Sequence, residues 1–123
     1  MRTAGVSERT VGELVAEFVD ISISQGRAIA VDDMTAYNRL VPRLKQIVEA
    51  LTHREGDQRR ALVALYRHED MQVRLAAAEC TLAVAPEEAR TALRQIRDAR
   101  SPPQSFHAGM TLRLIDEGIA RPT

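Results

Sequence analysis

Asp70-Met71-Gln72-Val73-Arg74-Leu75-Ala76-Ala77-Ala78, followed by Leu82, decides the fold. A short polar turn ends in a helix cap, then come one apolar residue, one arginine and a run of alanines. Small side chains let a helix lie very close to its neighbours, as in a stack of helical hairpins. The stretch speaks to architecture and says almost nothing about chemistry.

Helical periodicity extends outward from it in both directions. A first helix is expected from about Ser7, its cap, to Gln25, with Val11, Leu14, Val15, Phe18 and Ile21 on one face and Gly26 as the stop. A second follows Asp32 or Asp33. Its stripe runs through Tyr37, Leu40, Val41, Leu44, Ile47, Val48 and Leu51, and Pro42 should bend or break it near Asn38 to Val41. A third, shorter helix starts after Asp57 and buries Ala61, Leu62, Leu65 and Tyr66. The fourth runs from Asp70 to about Ala85 and should be the most buried. Pro86 then opens a fifth, with Glu87 and Glu88 at its positive end and Ala89, Ala92, Leu93 and Ile96 as its face. Ser101-Pro102-Pro103 breaks it. The sixth carries Phe106, Met110, Leu114 and Ile115 and ends at Gly118.

Six helices in up-down order make three hairpins, and the last two resemble each other. Ala61-Leu62-x-x-Leu65 and Ala92-Leu93-x-x-Ile96 are offset by 31 positions, and Ala76-Ala77 and Ala108-Gly109 by one more. This is a weak internal repeat. One hairpin cannot bury its own apolar face, so neighbours stack.

Composition agrees. The chain has 123 residues, the size of one domain. Apolar residues make up 45% and aromatics only 3%, so the core is aliphatic, which favours helix packing over a sheet sandwich. The expected fold class is all-α: a stack of antiparallel helical hairpins forming an α-α superhelix. Residues 7–55 form an N-terminal hairpin or cap, and 57–118 form two repeat hairpins.

Formal net charge is zero, so no global field favours nucleic acid or an anionic membrane. The lone Cys80 makes no internal disulfide, which suits a reducing compartment; it is expected to be a buried, inert thiol. No apolar run approaches the ~18 residues of a membrane span, and the N-terminus lacks a signal-like apolar stretch. A soluble, cytoplasmic protein is expected.

His53, His68 and His107 are not at metal-ligand spacing, and no His-Glu-x-x-His or Cys-x-x-Cys occurs. His68-Glu69-Asp70 reads more simply as a polar interhelix turn than as a metal or acid–base cluster. The glycines are scattered, so there is no phosphate loop. No metal, cofactor or catalytic residue is expected, and the chain does not read as an enzyme. The binding residues expected are arginines: Arg59, Arg60 and Arg67 on the third helix, Arg74 on the fourth, and Arg90, Arg94 and Arg97 at i, i+4 and i+7 on the fifth. Glu87, Glu88 and Asp98 on the same helix argue for a merely solvated face.

Asp70, Val73, Arg74, Ala76-Ala77-Ala78 and Leu82 resemble a HEAT-type repeat. In that family the turn aspartate and the arginine brace neighbouring repeats. The chain departs from the pattern at His68, where an aspartate is usual, and at Gln104-Ser105-Phe106-His107, which lacks Val-Arg. Most of the chain also resembles a family of small bacterial proteins catalogued as a domain of unknown function, number twenty-nineteen. The matching features are Arg27-Ala28, Tyr37-Asn38-Arg39-Leu40, Gln72 to Ala78, Ala83-Val84-Ala85-Pro86-Glu87, Ala108-Gly109-Met110-Thr111-Leu112 and Asp116-Glu117-Gly118. The resemblance transfers no activity. Some small HEAT-like bacterial proteins resemble immunity partners of toxins. The function expected is therefore a non-enzymatic protein-interaction module, immunity-type binding being one form. A second copy of the chain is among the protein partners considered. The alternative is a nucleic-acid-binding helical repeat using the arginine faces. Neutrality, short length and the absence of tryptophan weigh against it.

Overall fold

A computed structural model describes residues 8–123. Every regular element among them is helical. The order is α1 (Val11–Ala30), α2 (Met34–Thr52), a 3-10 segment (Gln58–Arg67), α3 (Met71–Cys80), α4 (Pro86–Asp98) and α5 (Gln104–Asp116). The chain divides into two compact units, one ending at Ala61 and the other beginning at Leu62.

The first unit is the α1–α2 hairpin. Thr10, not Ser7, caps α1; Ser7 lies outside the described residues. Thr10 Oγ1 accepts from Glu13 N at 3.1 Å, and Glu13 Oε1 accepts from Thr10 N at 3.1 Å, a reciprocal box that satisfies two orphan donors. Those bonds hold the Glu13 carboxyl below its ordinary pKa. Leu14, Phe18, Ile21, Gln25 and Ala28 form the buried row of α1. That row explains why Gly26 does not stop the helix. Burial resumes at Ala28, and packing there outweighs the ~1 kcal/mol a mid-helix glycine costs. Termination comes at Asp32, whose φ is 60°, and Asp33 caps α2 by accepting from Ala36 N at 3.0 Å.

α2 also continues unbroken through Pro42. Pro42 removes the donor that would meet the Asn38 carbonyl. Both residues are exposed, so water can satisfy that oxygen. The long apolar stripe is buried only at its end, at Ile47 and Leu51, and Val41 is 43% exposed.

The second unit has one aliphatic core. Leu75 and Ala78 from α3, Ala89, Ala92, Leu93 and Ile96 from α4, and Ala108 and Leu112 from α5 pack together with Leu82. Tyr66, Met71 and Ile115 close its edge. α4 is amphipathic as its spacing predicts, and its buried face is the expected four residues. Asp70 caps α3 by accepting from Val73 N at 3.0 Å. The expected third helix is instead a 3-10 turn series, with Leu62 its one buried residue.

α3 stops at Cys80, five residues before the expected end. Two local causes combine. The buried Thr81 hydroxyl turns back to the carbonyls of Ala77 at 2.7 Å and Ala78 at 3.3 Å, and it meets the Tyr66 hydroxyl. Pro86 then bars Ala85 from helical geometry; Ala85 sits at φ −143° and ψ 61°.

Candidate functional site

The seven expected arginines are dispersed, and most are engaged locally. Arg59 forks onto Asp57, with Nη2 2.6 Å from Oδ2 and Nε 2.9 Å from Oδ1. This pairing holds the Asp57 carboxyl below its ordinary pKa. Arg60 and Arg67 are exposed on the 3-10 segment. Arg74 Nε donates to the His68 carbonyl, and Asp70 N donates to His68 Nδ1 at 3.0 Å. The His68-Glu69-Asp70 turn is thus a capping and bracing unit in this fold. On α4, Arg90 Nη1 pairs with Asp116 Oδ1 on α5 at 2.8 Å, and Arg97 Nε pairs with its neighbour Asp98 at 2.9 Å. Arg94 is exposed. The stripe is real as spacing, but two of its three members are tied to carboxylates. Cys80 is half-buried rather than buried.

A polar ladder joins α3 to α5. Gln104 Nε2 donates to Gln72 Oε1 at 3.1 Å. Thr111 Oγ1 donates to Glu79 Oε2 at 2.8 Å, and His107 Nε2 lies 3.1 Å from the same oxygen. The first two rungs each join residues 32 apart in sequence. That is also the spacing of Ala76 and Ala108, both buried. The 32-residue spacing thus recurs in side-chain hydrogen bonds between α3 and α5.

The hydrogen bond to Glu79 raises the His107 pKa above its ordinary value, against an opposing contribution from burial. A raised folded-state pKa places the stabilisation below the unfolded value, about 6.5, and removes it as pH rises through the folded value. The His107 side chain is half exposed, so solvent screening keeps the effect on stability small. The direct check is an NMR titration. His107 should titrate above about 6.5, and Glu79→Gln should bring it back down. A midpoint at or below that value in the wild-type protein would show that the pair does not persist in solution.

A concavity in the second unit lies along α5. It is an open groove of about 640 Å³. Phe106, Met110 and Pro102 give it an apolar floor, and Arg97, Arg100 and Arg113 stand at its edge. Arg97 lies over Gly109 at ordinary contact distance: a Cβ there would stand 3.5 Å from Arg97 Cγ, so an alanine would also fit. This corrects the expected face of the last helix. Ser105, Ala108 and Leu112 are its buried row, while Phe106 is 76% and Met110 56% exposed. Arg100 and Arg113 were not among the arginines singled out from the sequence. Phe106, Met110 and Arg113 fall at i, i+4 and i+7, and the small Ser105 and Ala108, on the alternative row with Leu112, are the signal that separates the two faces.

A second concavity, of about 470 Å³, lies in the first unit. Arg9 and Arg43 both pair there with Glu17. Among the described residues no cluster of His, Cys, Asp or Glu is arranged to hold a metal ion. No helix among them is long and apolar enough to cross a membrane.

The model of the family described as Domain of unknown function (DUF2019) matches residues 12–116. The chain belongs to this family. The match takes in all of α2 to α5 and all but the first residue of α1. Among solved structures, the chain is similar to the protein RPA1889 from Rhodopseudomonas palustris CGA009. The two are 39% identical, with a TM-score of 0.94, over 98% of this chain and 100% of the other. No curated protein matches the chain.

Proposed function

We propose that the protein is a non-enzymatic interaction module of HEAT-like type that holds a protein partner. The open groove on α5 carries this reading. A solvent-exposed phenylalanine and methionine side by side, rimmed by arginines, is the composition of a protein-binding surface rather than of an ordinary solvated helix. The HEAT-like character is supported by the constant 32-residue register between α3 and α5, the geometry of consecutive repeats. Binding of an immunity type, in which a small helical protein occupies the working surface of another, is one concrete form.

The test is affinity capture from the native cell, followed by reconstitution of the complex from purified components. A stoichiometric complex tighter than about 1 μM supports the module reading. Failure of every captured protein to bind when purified would sink it.

Nucleic acid is the competing class of partner, and charge weighs against it. The chain is neutral overall, and Arg59 and Arg90 are paired with carboxylates. Fluorescence anisotropy should find no DNA or RNA bound tighter than the non-specific range of about 10⁻⁴ to 10⁻⁶ M at physiological salt. Submicromolar binding that weakens when Arg90, Arg94 and Arg97 become glutamine would reverse this conclusion.

A further inference from the structure

We infer that the α5 groove receives a single amphipathic helix of a partner protein, apolar along one face and acidic along its flanks. The inference rests on the interaction-module reading and adds the chemistry of the partner.

Charge selects the acidic flanks. Three arginines and no carboxylate line the groove. Arg97 and Arg113 pair with Asp98 and Glu117 through Nε on the open surface, and such exposed pairs are worth at most about 1 kcal/mol, so a partner's carboxylates can replace them. Arg100 stands at the exit of α4 with φ 53°, a conformation that glycine adopts more easily than arginine. Guanidinium groups match carboxylates by their planar fork.

Shape selects a helix. Phe106, Met110 and Arg113 form one row along two turns of α5, which a second helix meets with residues at i, i+3 or i+4, and i+7. The repeat register points the same way. Met110 stands 32 residues after Ala78, which is fully buried in the core of the second unit. Met110 is 56% exposed, so the same place in the later repeat lacks a covering helix among the described residues. A small molecule fits poorly, because ligand pockets bury most of their occupant and this groove is open. A second copy of the chain presented face to face would bring like charges together.

The probe is a side-chain-stapled helical peptide of about four turns, with leucines at i, i+4 and i+7 and glutamates beside them. Its twin has lysine for each glutamate. Anisotropy should show the acidic peptide binding the full-length protein and weakening as salt rises, with the twin unbound. Phe106→Ala and Arg100→Glu should each weaken binding about tenfold, as loss of an anchor or rim charge does, with unchanged melting temperatures. No binding, or binding that ignores both variants, overturns the inference. So does a wild-type dimer in sedimentation that Met110→Glu splits, which would give the face to a second copy. Submicromolar nucleic-acid binding lost in Arg100→Glu would also overturn it. A reconstituted natural complex unaffected by both variants removes the groove assignment alone and leaves the module reading standing.

Discussion

Phe18→Ala should cost about 3–5 kcal/mol of stability, while Phe106→Ala should change it by less than about 0.5 kcal/mol. The two are the only phenylalanines in the chain. Phe18 is 0% exposed and lies on the buried row of α1, between Leu14 and Ile21. Truncating it removes a large apolar surface from a core with few aromatics and leaves a cavity that aliphatic neighbours only partly refill. Total stability for a domain is about 5–15 kcal/mol, so about a fifth or more of it is at stake. Phe106 is 76% exposed and has little packing to lose. Urea denaturation of the two variants, compared by midpoint at equal slope, gives both numbers. Equal losses would mean that Phe106 is covered in solution by something in the chain itself. A stable Phe18→Ala protein would mean that the α1 face is assigned wrongly.

The same contrast shows how far the sequence could be read. Both phenylalanines fit an apolar helical face by spacing, and periodicity alone assigns both to the core. Facing is settled by which row lets the helix approach a neighbour. On α5 the buried row is Ser105, Ala108 and Leu112, where the small Ser105 and Ala108 allow the approach, and Phe106 and Met110 are turned outward. α4 was fully legible because its apolar and charged residues separate cleanly and Pro86 marks its start. The Asp70 cap was legible for a local reason, a carboxylate three residues before the amide it accepts from. The Thr10-Val11-Gly12-Glu13 box was equally local and outranks Ser7 as a start signal.

The misread boundaries have different causes. Gly26 and Pro42 are breakers by propensity, and packing or solvation around each overrides that propensity. The early end of α3 came from a contact distant in sequence, Tyr66 to Thr81, together with the restriction Pro86 places on Ala85. Of the arginines that line the groove, only Arg97 was singled out from the sequence, because spacing along one helix finds stripes and not grooves. Arg97, Arg100 and Arg113 come from α4, its exit and α5, and only the folded chain brings them to one edge.

Ala77→Leu should destabilise the protein by about 1–3 kcal/mol, and Ala83→Leu should leave stability within about 0.5 kcal/mol. Ala77 lies in the middle of α3 at 0% exposure, flanked by the buried Ala76 and Ala78. Its methyl group meets packed atoms, so a leucine forces side chains off their rotamers or moves backbone apart. Thr81 adds to the constraint, because its hydroxyl holds the Ala77 carbonyl at 2.7 Å and ties the end of α3 to Tyr66. A shift of the helix at Ala77 strains that connection too. Ala83 lies beyond the end of α3 and is exposed, so the added side chain has room. Leucine ranks close to alanine in helix propensity, so intrinsic preference contributes little at Ala77 and the loss there measures packing. Thermal melts of the two variants side by side separate the effects. An Ala77→Leu protein that melts with the wild type would mean that the alanine run is not a packing seam. An equal loss in both variants would mean that bulk anywhere near the end of α3 is harmful, and that close packing at Ala77 is not the reason.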